Sequence, residues 1–111
     1  MATLYKVRKD DDSVTEYSVS VAPVNGDGSH PKFTLAELQA FVGGMIETVE
    51  KPREKRSDKR IVMVFNENGR HLSLIVNRSA SKILQLWYLK SGRKTVDVVG
   101  NALVCHLSEI H

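Results

Sequence analysis

The spacing at which apolar residues recur changes several times along the chain, and each spacing predicts a type of secondary structure. Alternation with a period of two predicts β-strands, whereas apolar residues three and four positions apart predict amphipathic helices. The predicted elements in chain order are strands at 3–8 and 14–21, a helix that ends at Gly43-Gly44, strands at 45–50, 61–65 and 72–76, a helix at 79–89, and a strand at 95–107.

The first predicted helix is defined at both ends by its sequence. Thr34 and Glu37 have the spacing of a capping box, in which each side chain accepts a hydrogen bond from an otherwise unpaired backbone N–H group. Gly43 and Gly44 permit the left-handed backbone angles that commonly end a helix. The apolar positions of this helix are Leu35, Leu38, Phe41 and Val42. We therefore expect one short helix that leads directly into a strand.

The middle of the chain predicts a β-hairpin. Residues 61–65 are uninterruptedly apolar, which is typical of a central strand that is covered on both faces. Asn68-Gly69 favours the tight turn that joins two antiparallel strands, and the alternation over 72–76 predicts the returning strand. Gly100-Asn101 predicts a bulge or a bend within the last strand.

Ser79 or Asn77 can cap the second predicted helix, which runs to about Leu89. Its apolar stripe consists of Ala80, Ile83, Leu84 and Trp87. A stripe on one side of a helix predicts that this side packs against the core.

The predicted element order is β-β-α-β-β-β-α-β. Strands outnumber helices and are joined mostly by short turns, so we expect an α+β fold with a mostly antiparallel sheet that carries both helices on one face. All 111 residues are expected to form a single domain.

Composition limits the class of protein further. The chain is 41% hydrophobic and 26% charged, values that are ordinary for a globular protein. It contains neither an apolar run of about 20 residues nor the apolar core of a signal peptide. Its single cysteine excludes an internal disulfide and a cysteine-based zinc site. These features predict a cytoplasmic protein.

Positive charge is concentrated in one loop, at 51–60, which carries six basic and two acidic residues and hence a net charge of +4. Because the whole chain carries +3, the remaining residues together carry −1. The basic residues are Lys51, Arg53, Lys55, Arg56, Lys59 and Arg60. Such a cluster can bind nucleic acid by neutralising phosphates and releasing counterions. The alternative is an ordinary solvated loop, since it holds no aromatic residue on which a base could stack.

Three further residues are candidates for ligand binding. Glu47 shares a strand face with Met45 and Val49, which indicates either a site carboxylate or a strand end that reaches water. Asn77 and Arg78 lie at a strand-to-helix junction, where a guanidinium group and the helix N-terminus could together bind a small anion. The alternative is that Asn77 only caps the helix and that Arg78 is solvated.

The residues that could support catalysis are scattered. The four histidines, at positions 30, 71, 106 and 111, lack the spacing that converges on zinc. Cys105 lies in an apolar strand, which directs the neighbouring His106 to the opposite face. The aspartates at 10–12 fit a solvated turn, because calcium loops space their carboxylates at alternate positions. The segment 25–28 fits a flexible loop, because it lacks the downstream glutamate that completes a calcium loop. We therefore expect no enzymatic activity, no cofactor and no metal site.

Four motifs occur in order between residues 34 and 105. They are Leu38-Gln39-x-x-Val42-Gly43-Gly44-x-Ile46-Glu47, Asn66-Glu67-x-Gly69, Asn77-Arg78 and Asp97-x-Val99-Gly100. In this combination the chain resembles a domain-of-unknown-function family that is common in bacteriophages, plasmids and their bacterial hosts. The resemblance implies a small accessory protein with no assigned chemistry. The loop at 51–60 and the helix at 79–89 are longer than the family pattern, so the resemblance implies nothing about their role.

Together, these observations predict a non-enzymatic accessory protein that acts by binding. We expect the partner to be a host protein or a small anionic ligand. The alternative is sequence-independent binding of nucleic acid through the basic loop at 51–60.

Overall fold

The computed structural model describes residues 2–8, 13–19, 32–68, 75–91 and 97–110. Within these residues the elements are β1 (Ala2–Val7), β2 (Val14–Val19), α1 (Leu35–Val42), β3 (Ile46–Glu50), β4 (Ile61–Asn66), α2 (Arg78–Ser91), β5 (Ala102–His106) and a 3-10 turn (Leu107–Glu109).

The strands form one sheet with the order β2-β1-β5-β4-β3, and every neighbouring pair is antiparallel. This confirms the predicted α+β fold with its antiparallel sheet and two helices. Strands β1 and β5 lie side by side, so segments from the beginning and the end of the described chain meet inside the sheet. Strands β2 and β3 form its two edges, and the loop at 51–60 therefore leaves the sheet from an edge strand.

Strand β4 is buried on both faces, as its continuous apolar sequence predicts. Successive side chains of a strand point to opposite faces. Val62 and Val64 belong to a core that includes α1, whereas Met63 belongs to a second core that includes α2. The expectation that both helices lie on one face is therefore wrong, because a strand that is apolar on both faces needs a cover on each.

The ends of α1 match the prediction. The Glu37 N–H donates to Thr34 Oγ1 at 3.1 Å, and the Thr34 N–H donates to Glu37 Oε1 at 3.0 Å, which completes the capping box. At the other end Gly43 adopts a left-handed φ of 78°, and its N–H donates to the carbonyl of Gln39. Leu35 departs from the predicted stripe, since it is 58% exposed at the start of the helix.

A buried asparagine joins the end of α1 to the end of β4. The Asn66 side-chain amide donates to the Val42 carbonyl at 3.1 Å, and its Oδ1 accepts from the Asn68 N–H at 2.8 Å. A Cβ atom at Gly44 would lie only 2.9 Å from Asn66 Nδ2. The second glycine therefore makes room for the side chain that ties α1 to the sheet.

A second buried asparagine, Asn77, joins three parts of the chain. Its Oδ1 accepts from the Ala80 N–H at 3.0 Å and so caps α2. Its side-chain amide donates to the carbonyls of Tyr5 in β1, at 2.9 Å, and of Gly100, at 3.0 Å. Because a buried carboxamide is costly without partners, these bonds are what allow Asn77 to be completely buried.

The last strand is shorter than predicted. Gly100 has a left-handed φ of 85°, which confirms the bend, and β5 begins only after it. Before the bend, Val99 forms an isolated antiparallel bridge with Val76. The predicted returning strand at 72–76 lies mostly outside the described residues. The segments 10–12 and 25–28, which the sequence predicts to be solvated, also lie outside them.

We predict that Asn77→Ala destabilises the protein by roughly 3 kcal/mol, since it removes a helix cap and leaves two carbonyl groups without these partners. Urea denaturation would measure the change in the free energy of unfolding. Arg78→Ala is the matched control, because Arg78 is the exposed neighbour on the same helix, and its stability should stay close to that of the wild type. Equal stability of the two variants would contradict the structural role of Asn77.

Candidate functional site: the basic hairpin

The basic loop connects two paired strands, β3 and β4, and is itself ordered by hydrogen bonds. The Lys51 N–H donates to the Ile61 carbonyl at 2.8 Å, which extends the β3–β4 ladder into the loop. At the tip, the Lys55 N–H donates to Asp58 Oδ2 at 3.0 Å, and the Asp58 N–H donates back to the Lys55 carbonyl at 3.1 Å. We call residues 51–60 the basic hairpin.

One ion pair closes the base of the basic hairpin. Both Nε and Nη2 of Arg60 donate to the carboxylate of Glu50, a two-point geometry that guanidinium and carboxylate groups favour. This hydrogen bonding lowers the pKa of Glu50. Arg60 is therefore engaged within the protein, and its charge is partly offset by its partner.

The other basic side chains of the hairpin point to solvent. All residues at 53–60 are exposed, and so is Lys51. Arg53 Nη1 donates to the Arg56 carbonyl at 3.3 Å, which holds its side chain along the loop. Positive charges on an ordered, exposed loop are well placed to meet the phosphates of a polyanion without first paying for a large rearrangement of the backbone.

A groove of about 530 Å³ lies on the β3 side of the basic hairpin. Tyr88 reaches it from α2, and the rest of its lining comes from residues 47–53. In the sheet register, Glu47 and Val49 stand opposite Phe65 and Met63, so they lie on the face that α2 covers. We call this depression the Tyr88 groove. It combines an aromatic ring with the cations Lys51 and Arg53.

A second groove, of about 580 Å³, lies on the β4 side of the same hairpin. Its lining residues are Lys59, Arg60, His106, Leu107 and Ser108. The Leu107 N–H donates to the Arg60 carbonyl at 2.8 Å, which fixes the end of β5 beside the hairpin. We call this depression the His106 groove. The basic hairpin thus forms a wall of both grooves.

The structure separates the residues that the sequence singled out for ligand binding. Glu47 is exposed on the edge strand and lines the Tyr88 groove. Arg78 is exposed at the start of α2, ten residues and about 15 Å along the helix from Tyr88. Asn77 is completely buried, and both hydrogens of its amide are used within the fold. We therefore withdraw Asn77 from the candidate ligand-binding residues.

Two residues of the candidate site are missed by sequence reasoning. Tyr88 lies 28 positions after Arg60, and nothing in the local pattern connects it to the basic hairpin. His106 is separated from Lys59 by 47 positions, and only the pairing of β4 with β5 brings the two together. The only sequence signal that bears on Tyr88 is the apolar stripe of α2, which predicted that one side of this helix packs on the core.

Of the residues considered for catalysis, the structure describes Cys105 and His106, and their side chains do not converge. The histidines at 30, 71 and 111 lie outside the described residues. Cys105 is only 2% exposed, and burial, together with the charge of Glu109, raises the pKa of its thiol to about 12. His106 points to the other face of the sheet. Among the described residues, no group of three or more histidine, cysteine, aspartate or glutamate side chains could hold a metal ion. Within the same part of the chain, neither helix is long and apolar enough to cross a membrane.

The raised pKa of Cys105 makes stability depend on pH. The thiol is protonated in the folded state up to about pH 12 but ionises near its ordinary value of 9.0 in the unfolded chain. The contribution of the protonated thiol to the free energy of unfolding is therefore complete below pH 9.0 and is lost as the pH rises toward 12. We predict that the stability of Cys105→Ala falls less steeply than that of the wild type between pH 9 and 11, by up to about 1.4 kcal/mol per pH unit. Parallel slopes in urea denaturation would contradict this.

Comparison with known proteins identifies the family of the chain. No curated protein and no solved structure matches it. One family model does match, and it covers residues 13–110, which is most of the chain and includes β2, both helices and the basic hairpin. The chain therefore belongs to the family described as Domain of unknown function (DUF3846).

Proposed function

We propose that this chain is a non-enzymatic, cytoplasmic accessory protein of a phage or mobile element, and that it binds nucleic acid without sequence preference through the basic hairpin. The observation that carries the proposal is the geometry of that hairpin. Lys55, Arg56 and Lys59 are exposed on a loop whose backbone is held by its own hydrogen bonds.

Electrostatics favours a polyanion over a single small anion as the partner. The exposed cations are spread along a hairpin of ten residues instead of converging on one point. Each phosphate that a lysine or arginine neutralises releases condensed counterions from nucleic acid, so several separated cations add their contributions. A small anion could contact only one or two of them.

The geometry gives little support to a small-anion site at the start of α2. Asn77 caps the helix from a buried position, and its amide is directed toward Tyr5 and Gly100. Of the two candidate residues at this junction, only Arg78 is exposed. Because the Asn77 carboxamide is engaged within the fold, it cannot join Arg78 in holding an anion.

The proposal predicts that reversing the charges at Lys55, Arg56 and Lys59 strongly weakens nucleic-acid binding, which stays measurable at low salt concentration. With three phosphate contacts removed, the plot of log K against log salt concentration should become shallower by roughly two to three units. Fluorescence anisotropy of a labelled oligonucleotide, titrated at several salt concentrations, would measure both quantities.

The matched control reverses the charges of three exposed basic residues outside the hairpin. These are Lys6, Arg78 and Lys82. The control changes the net charge of the protein by the same amount, so it tests whether the location of the charge matters. If the control loses as much affinity as the hairpin variant, or if the hairpin variant binds like the wild type, the proposal is wrong.

A host protein as the partner is the second candidate, and one observation favours it. Leu86 and Leu89 lie on the outer side of α2 and are 64% and 79% exposed. They stand three positions apart and thus on one helix face. Exposed leucines that neighbour one another can contribute to a protein interface.

For this second candidate we predict that the double variant Leu86→Ser, Leu89→Ser loses a protein that otherwise co-purifies from the natural host. Native mass spectrometry would give the mass of the complex. Lys82→Ser serves as the control, because it changes another exposed position of the same helix. A partner that is retained by the leucine variant would exclude this surface as its binding site.

A further inference from the structure

The two grooves beside the basic hairpin carry different chemistry, and this difference bears on the form of the nucleic acid. The Tyr88 groove offers an aromatic side chain next to Lys51 and Arg53. The His106 groove offers Lys59 and Arg60 next to an apolar residue, Leu107. The two grooves share the basic hairpin as a wall.

We infer that the ligand is single-stranded nucleic acid, which crosses the basic hairpin from the Tyr88 groove to the His106 groove with a base stacked on Tyr88. This inference rests on the proposed function and specifies its substrate class. The juxtaposition of an aromatic ring with a basic loop is the observation that carries it.

Tyr88 has the properties of a stacking platform. It is half-buried and packs against the core formed by Met63, Leu84 and Trp87, so its position is set before any ligand arrives. An aromatic side chain of this kind accepts any base, because every base has a π-face. Stacking therefore adds affinity without adding sequence preference, in keeping with the proposed function.

The charges around Tyr88 determine which side of the bound strand faces the basic hairpin. Lys51 and Arg53 lie on the hairpin side of the groove, whereas Glu47 and Glu50 lie on β3. The charge of Glu50 is partly offset by Arg60, but Glu47 repels phosphate at its end of the groove. The backbone of the strand should therefore follow the hairpin, with its bases turned toward Tyr88.

Only a single strand can stack a base on Tyr88 and also place its phosphates on the basic hairpin. In a duplex the base faces are stacked on one another, so a duplex could meet the hairpin with its phosphates alone. A single strand exposes its bases and is flexible enough to pass over the hairpin into the second groove, where Lys59 supplies the next contact. Combined stacking and phosphate contacts are the usual basis of single-strand binding.

The test compares Tyr88→Leu, which removes the ring, with Tyr88→Phe, which keeps it. The probes are a 16-nucleotide oligothymidylate, a duplex of the same length, and heparin as a polyanion without bases. We expect Tyr88→Leu to weaken oligothymidylate binding by roughly tenfold, while the Phe variant stays within about twofold of the wild type. Duplex and heparin affinities should change little in either variant.

Tyr17→Leu is the matched control. Tyr17 is another accessible aromatic residue, but it lies on β2, at the opposite edge of the sheet. Its removal should leave all three affinities unchanged. Thermal unfolding of each variant identifies any loss of the fold.

A second measurement on the wild-type protein does not depend on the stability of any variant. Oligonucleotides that carry 5-iodouracil form covalent photoadducts with aromatic side chains against which the base is stacked. Peptide mapping by mass spectrometry should place the adduct at Tyr88. Adducts confined to other residues, such as Tyr17, would overturn the inference.

The possible failures are distinguishable. If the wild type binds none of the nucleic acids, or if charge reversal of the hairpin has no effect, the proposed function itself fails. If binding depends on the hairpin but Tyr88→Leu binds oligothymidylate like the wild type, only the inference fails. Equal losses for oligothymidylate and heparin would likewise exclude base stacking.

Discussion

The burial of β4 on both faces is the constraint on which the rest of the structure depends. Val62 and Val64 on one face and Met63 on the other are at most 2% exposed. Because each face needs its own apolar cover, α1 and α2 must lie on opposite sides of the sheet. The same arrangement places β4 between the edge strand β3 and the inner strand β5, and thereby fixes where the basic hairpin leaves the sheet.

Three asparagines connect the layers that this burial creates. Asn66 joins the end of α1 to β4, and Asn77 joins the start of α2 to β1 and to the bend at Gly100. Asn101 accepts from the Val7 N–H and donates to the Phe41 carbonyl, which links β1 to α1. Among the described side chains, no buried nitrogen or oxygen lacks a hydrogen-bond partner. Each of these three asparagines thus has a structural role that its hydrogen bonds explain.

The candidate site lies outside this framework and uses it as a support. The β3–β4 ladder holds the basic hairpin, the Glu50–Arg60 pair closes its base, and packing on the core positions Tyr88 beside it. Gly43 and Gly44 have structural roles, since Gly43 ends α1 and Gly44 gives space to Asn66. A rigid scaffold that carries a charged peripheral loop is well suited to binding, because the loop loses little conformational entropy when a partner binds.

The sequence by itself determined the local features, because capping, turn formation and strand alternation depend on neighbours a few positions apart. It predicted the capping box at Thr34, an irregularity at Gly100-Asn101, the apolar stripe of α2 and the charge of the hairpin. Only the tertiary structure decided that the helices lie on opposite faces, that Asn77 is buried, and that Tyr88 and His106 flank the basic hairpin. These facts depend on strand order and helix packing, which bring together residues that are distant in sequence and that no local pattern relates.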